Sequence, residues 1–289
     1  MLDPVAEPLV WTIDAQVQDT HFRLDWVGWK DVGWRSFMAA ASDLAAMGAQ
    51  PLAALSALAL ADTVDDFALD ALAEGQADAA SVVGAAVVGG NLARGRETSV
   101  TTTLIGLTPR PILRSGARPG DGLFLAGRVG MAAAGLAALE RGAAQPADAC
   151  IDACIGAWRR PKALIVEGLA MRGSASAAVD VSDGLSRDAS HVADASGVVL
   201  VIEEAALRAR TAGALEAAAA LLGRDALALA LAGGEDYALL VTSPASSIAG
   251  FERIGVVEAG AAAVVLQRAD GTRVPVDPQG FDHFGRSSG

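Results

Sequence analysis

Hydrophobic and polar positions along this chain follow two patterns: apolar residues recurring near every 3.6 positions, which mark helices, and short apolar runs, which mark strands. Residues 9–13 read as a short strand ending at Asp14. Phe37, Ala40, Ala41, Leu44 and Met47 predict a helix over 34–47, with Gly48 as its stop and Pro51 preventing continuation. A strand follows at 52–60, then a helix capped by Thr63 that carries Val64, Phe67, Leu69 and Leu72 and continues through Ala79 and Ala80. Residues 82–88 read as a strand halted by Gly89-Gly90-Asn91, and 99–107 as a β-branched strand. Pro109-Arg110-Pro111 forbids regular structure and a turn-rich patch follows at 116–122, so the pattern predicts two domains, 1–108 and 112–289. In the second, strands are expected at 123–126, 177–181, 198–202, 237–242 and 253–257, and helices at 131–139, 147–157, 163–171, 186–195, 214–222 and 226–232. Strands interleaved with helices make the fold class α/β or α+β.

Composition narrows this picture. With 289 residues the chain can bury a sizeable core, and 52% hydrophobic against 19% charged residues excludes a disordered chain. Aromatics are only 4%, which favours close-packed helices on sheets over an aromatic-cored sandwich. A net charge of −12 disfavours binding to nucleic-acid phosphates, while leaving room for a phosphorylated small molecule if metal ions neutralise the local field. Cys150 and Cys154, without further cysteines or a nearby histidine, read as small core residues rather than a zinc site or a disulfide framework. The first eight residues lack the basic-then-apolar signature of a signal peptide, and no apolar stretch reads as a membrane span. The expectation is a soluble cytoplasmic protein with no nucleic-acid or membrane partner.

The chemistry concentrates where acidic or amide oxygens sit beside glycines. In Val179-Asp180-Val181-Ser182-Asp183-Gly184-Leu185 an apolar run leads into two carboxylates and a glycine, a set that suits Mg²⁺. The same residues also make an ordinary capped turn. Asp14 follows the first strand, Asp43 follows Ser42 in the first helix, Asn91 follows Gly89-Gly90, and Gly233-Gly234-Glu235-Asp236-Tyr237 precedes a strand. Backbone N–H groups and carboxylates in such places fit a phosphate and Mg²⁺ site. Each also has a plain structural reading, as a loop, a buried polar pair, a core histidine (His21) or a solvated charge (Arg114).

The order "DTHF", "SDLAAMGAQP", "GGN", "RSGARPGD", "DVSDGLSRD", "GGEDY" and "GFDHF" resembles the thiamine-monophosphate kinases, relatives of aminoimidazole ribonucleotide synthetase and of a hydrogenase maturation protein of similar fold. The resemblance spans residues 9–284. It implies the two-domain aminoimidazole ribonucleotide synthetase-like fold: an N-terminal ATP- and Mg²⁺-binding domain whose mixed sheet pairs in a dimer barrel, and a C-terminal α/β domain. It also implies ATP-dependent phosphorylation of thiamine monophosphate to thiamine diphosphate by direct in-line transfer with several Mg²⁺ ions, in a homodimer. Carried over by position, Asp14, Asp43, Asp180 and Asp183 match metal ligands, with Thr12 beside the N-terminal metal site. Gly90, Asn91, Arg114 and Ser182 match nucleotide contacts, and His21, Glu235 and Phe281 match positions that hold the thiamine part. Asp180 and Asp183 are the residues expected to carry catalysis. The chemistry agrees, because bringing two polyanions together is mainly positioning and charge neutralisation.

The match departs in places. The family's upstream Gly-Asp-Asp-Ala segment has no counterpart after Met1, and Gly-Gly-Asp is Gly89-Gly90-Asn91 here. Gln18 stands where Glu is usual, and Phe281 where Tyr or Trp is frequent. Fewer carboxylates weaken Mg²⁺ binding. A start upstream of Met1, an enzyme that tolerates the change, and a non-catalytic relative that binds nucleotide or thiamine phosphates each account for this. Another ATP-dependent enzyme of the superfamily is the remaining alternative.

Overall fold

The computed structural model describes residues 6–142 and 148–278. In chain order these form β1 (Leu9–Val17), α1 (Trp29–Ala46), β2 (Gln50–Leu60), α2 (Asp66–Val83), β3 (Ala86–Arg94), β4 (Ser99–Leu107) and β5 (Gly122–Ala126). Then come α3 (Met131–Glu140), α4 (Ala149–Arg159), α5 (Ile165–Ala170), β6 (Ala177–Val181), α6 (Leu185–Ser196), β7 (Val198–Glu203), α7 (Glu204–Thr211) and α8 (Ala214–Leu221). The described residues finish with α9 (Ala226–Ala232), β8 (Ala238–Ser243), β9 (Glu252–Ala259), β10 (Ala263–Gln267) and β11 (Arg273–Pro275). This is the expected mixed α/β architecture, in two compact units. One takes the described residues up to Ile112 together with Arg159–Gly173; the other takes Leu113–Trp158 and the described residues from Ser174 onward.

The first unit is a four-stranded sheet in the order β1-β4-β2-β3, antiparallel except for the parallel β2–β3 pair. Along β1 burial alternates, with Val10, Thr12, Asp14 and Gln16 turned inward and Leu9, Trp11, Ile13 and Ala15 outward. Helices α1 and α2 cross at backbone contact. A Cβ on Gly33 would stand 2.0 Å from the Leu72 carbonyl oxygen, and one on Gly75 1.9 Å from that of Lys30. Glycine at both positions is therefore a packing requirement. The returning segment 159–173 is held to α1 by Trp34 Nε1 donating to the Pro161 carbonyl (2.7 Å), by Arg160 stacking on the Trp34 ring (4.2 Å) and by Arg160 pairing with Asp31 (2.7 Å).

Several expected boundaries shift. β1 continues past Asp14 because all nine of its residues pair with β4, so Asp14 lies inside a strand rather than at its end. The Gly89-Gly90-Asn91 run likewise lies within β3. Gly90 is paired with Ser56, where a Cβ would come within 1.8 Å of the Ser56 carbonyl oxygen, so close strand approach and not a turn requires that glycine. The cap of α2 is Asp65, whose side chain accepts from Ala68 N (2.8 Å), not Thr63. The expected helix start at Ala147 lies outside the described residues.

The second unit is a seven-stranded sheet in the order β11-β10-β7-β9-β5-β8-β6, with β7 and β10 parallel and the other pairs antiparallel. Its core joins Leu123, Leu125, Val179, Val181, Leu200, Ile202 and Leu240 to the inner faces of α6 and α9 through Leu185, Val192 and Leu227. Helix α7 and strands β10 and β11 were not legible in the pattern. Only Leu207 and Thr211 of α7 are buried, too few to leave a periodic signal.

Candidate active site

In the second unit β6 ends at Val181, and Ser182-Asp183-Gly184 turns the chain into α6. Gly184 has φ +124, and a Cβ there would lie 2.9 Å from the Ala232 carbonyl oxygen. Asp188, in the first turn of α6, reaches back so that its Oδ2 accepts from the backbone N–H of Asp183 (3.0 Å) and of Gly184 (3.1 Å). Burial pushes the Asp188 carboxyl up to about 7, with the neighbouring Asp183 charge adding to the rise. Those two backbone bonds and the Arg114 guanidinium pull the other way. Asp183 lies 3.6 Å from Arg187 Nε one helical turn on.

The loop 233–237 lies directly on this turn. Glu235 N donates to the Ser182 carbonyl (2.7 Å) and Tyr237 N to that of Val181 (2.9 Å). Gly234 allows the approach, since a Cβ on it would stand 2.6 Å from the Ser182 oxygen. Glu235 and Tyr237 adopt φ +64 and +52, left-handed values that non-glycine residues hold only where their surroundings impose them. Asp236 caps α3 from a distance, its carboxylate accepting from Gly130 N and from Ala132 N (2.9 Å). Burial raises its carboxyl to about 7, against the lowering effect of those N–H groups. Glu235 Oε2 accepts from Trp158 Nε1 at 2.6 Å. Asp180 is buried in β6, opposite Leu239 of β8. Ser196 Oγ donates to the Arg114 carbonyl at 3.2 Å.

In the first unit Thr12 Oγ1 donates to Asp43 Oδ2, joining the inner face of β1 to α1. Two positions further along the same face, the Gln16 side chain accepts from Arg35 Nε (3.3 Å), and Asp14 lies between these two contacts. His21 is tied down at both ends: its Nδ1 accepts from Val17 N (3.0 Å) and its carbonyl from Arg35 Nη2 (3.3 Å). Register places Asp14, Thr102, Ser56 and Gly90 in one row across the sheet. Asn91 falls in the next row, with Ala15, Thr101 and Ala57, on the opposite face.

The structure thus brings Thr12 to Asp43, and Ser182 and Asp183 to Glu235 through one pair of loops, and separates Asn91 from Asp14 by the pleat. Phe281 lies outside the described residues. Among the described residues no three of His, Cys, Asp and Glu converge as a ready metal cage. The oxygens that do pair are hard carboxylate and hydroxyl donors, and the buried Ser42 Oγ, next to Asp43 in sequence, has no hydrogen-bond partner among the described residues. Such a set fits an ion that keeps waters and substrate phosphates among its ligands, as Mg²⁺ does. Sequence reasoning missed Trp158, Asp188 and Arg35; "SRD" closing the α6 turn was the one signal available for Asp188.

Comparison with known proteins agrees with these features. Residues 3–108 match the family model described as AIR synthase related protein, N-terminal domain. The thiamine-monophosphate kinase of Mycobacterium tuberculosis (strain CDC 1551 / Oshkosh) is 38% identical over 271 residues, covering 91% of this chain and 78% of that protein. The chain belongs to the thiamine-monophosphate kinase family. The thiamine-monophosphate kinase of Escherichia coli (strain K12) is 35% identical, over 97% of this chain and 88% of that one. The solved structure described as AaThiL complexed with AMPPCP and TMP superposes with a TM-score of 0.89 at 31% identity, covering 98% of this chain and 89% of that one. Membership in the thiamine-monophosphate kinase family accounts for the fold expected from the motifs. No helix among the described residues is long and apolar enough to cross a membrane.

Proposed function

We propose that this chain is an ATP-dependent phosphotransferase that converts thiamine monophosphate to thiamine diphosphate in the cytoplasm. Family membership at 38% identity carries the reading, and the interlocked turn 182–184 and loop 233–237 support it locally. The terminal phosphate oxygen of thiamine monophosphate attacks the γ-phosphorus of ATP in line. The new P–O bond forms as the β–γ bridging bond breaks, and ADP leaves.

Asp14 and Asp43, with Thr12 orienting Asp43, would hold Mg²⁺ in the first unit, and Asp180 and Asp183 would hold Mg²⁺ in the second. Several such ions would supply the neutralisation of phosphate charge that an acidic protein does not provide with its cations alone. Asp188 fixes the backbone from which Asp183 projects. Gly90, Asn91, Arg114 and Ser182 take the nucleotide; His21, Glu235 and Phe281 take the thiamine part. The N-terminal domain serves nucleotide and metal binding and dimerisation. Its open sheet face supports the homodimer: Trp11 is 65% and Ile13 67% exposed, Leu9 lies outward beside them, and Leu55 is exposed in the same row as Ile13, across β4.

The test is incubation of purified protein with ATP, thiamine monophosphate and Mg²⁺. Thiamine diphosphate and ADP should accumulate in equal amounts and stop on chelation of the metal. Binding of both substrates without product favours the non-catalytic reading that the neutral Asn91 motivates.

A further inference from the structure

We infer that Trp158 is a positioning residue for substrate recognition, its indole N–H setting the Glu235 carboxylate in the orientation that meets the cationic thiamine moiety. The inference rests on the function proposed above. Trp158 is 1% exposed, the last member of the buried stripe Ile151, Cys154, Ile155 and Trp158 on α4. A buried indole N–H needs an acceptor, and a backbone carbonyl is sufficient. Trp34 uses one, that of Pro161. Trp158 instead donates to a carboxylate 77 residues away in sequence, at 2.6 Å, the short length of a charge-assisted bond.

The surroundings make that carboxylate rigid. Helices α3 and α4 meet at backbone contact, where a Cβ on Gly135 would lie 2.2 Å from the Cys154 carbonyl oxygen. Two consecutive loop residues grip this pair: Asp236 caps α3, and Glu235 takes the indole of α4. The main chain of Glu235, at φ +64, is fixed in turn by its bond to the Ser182 carbonyl. With its main chain held and one oxygen bonded, the carboxylate loses its rotamer freedom before substrate arrives, and binding does not have to order it. A thiazolium cation and an aminopyrimidine N–H are groups such a preset carboxylate receives.

Trp158→Phe removes the N–H and keeps most of the ring. The variant should raise KM for thiamine monophosphate about tenfold, with kcat within about twofold and KM for ATP unchanged. In a Glu235→Ala background the same substitution should change that KM by less than about twofold, because the coupled partner is gone. An unchanged KM in Trp158→Phe overturns the inference. So do equal losses in kcat and in both KM values, which mark a merely structural role, or effects that add in the double variant. Wild-type turnover judges the underlying reading separately. If the wild type makes no product, calorimetry with thiamine monophosphate decides the inference: binding about tenfold weaker in Trp158→Phe supports it, and equal or undetectable binding overturns it.

Discussion

Asp188 holds Asp183 by its backbone: one oxygen of the Asp188 carboxylate accepts the Asp183 N–H at 3.0 Å and the following Gly184 N–H at 3.1 Å. Replacing Asp188 by Ala leaves two donors of a partly buried turn without their acceptor. The expected loss of stability is about 1–3 kcal/mol, and kcat should fall about tenfold as the turn carrying Asp183 loosens. Asp188→Asn keeps an acceptor oxygen and should lose less. Urea unfolding and initial rates of both variants check this; an unchanged midpoint in Asp188→Ala contradicts it.

Asp236 gives a pH signature. Burial places its folded pKa at about 7, above the ordinary carboxyl value of 3.8. The folded state therefore binds this proton more tightly than the unfolded chain does, and the resulting stabilisation is greatest at low pH and lost as pH rises through about 7. Asp236→Asn lacks that dependence while keeping an acceptor for the α3 N-terminus. Between about pH 5 and pH 7.5 the wild type should lose stability relative to Asp236→Asn, measured as the difference in urea midpoints. Parallel pH profiles contradict the assignment.

The crossing of α1 and α2 makes a stability prediction independent of function. A methyl group on Gly75 meets the Lys30 carbonyl oxygen at 1.9 Å, so Gly75→Ala must push the helices apart. A loss of about 2–3 kcal/mol is expected by denaturant unfolding, despite alanine's better helix propensity. A stabilised variant contradicts the packing described here.

On the open face of the first sheet, Trp11→Glu puts a charge between the exposed Leu9 and Ile13. If the proposed pairing holds, sedimentation at micromolar concentration should show dimer for the wild type and monomer for Trp11→Glu. Wild type sedimenting as monomer contradicts the proposed pairing.

These relationships differ in how far sequence reveals them. The strand-turn-helix at 177–196 was legible because a five-residue run that is apolar except for Asp180, a glycine and an amphipathic helix follow one another locally. Asp14 was placed one strand end too early: its polarity reads as a boundary, whereas its place inside the strand depends on residues of β4 that pair with β1. Gly90 read as a turn for the same reason, since only the approach of Ser56 explains it. Trp158 carried no signal at all, because the carboxylate that gives it meaning lies on another helix-linked loop far along the chain. Local chemistry is written in neighbours, and tertiary caps and indole contacts are not.

The most direct measurement follows the label from [γ-³²P]ATP in the presence of thiamine monophosphate and Mg²⁺. Labelled thiamine diphosphate should form in step with ADP, the protein should stay unlabelled, and Asp183→Asn should retain its fold while slowing transfer about a hundredfold. Absence of labelled product from folded wild type, label trapped on the protein, or full activity in Asp183→Asn would each contradict the account.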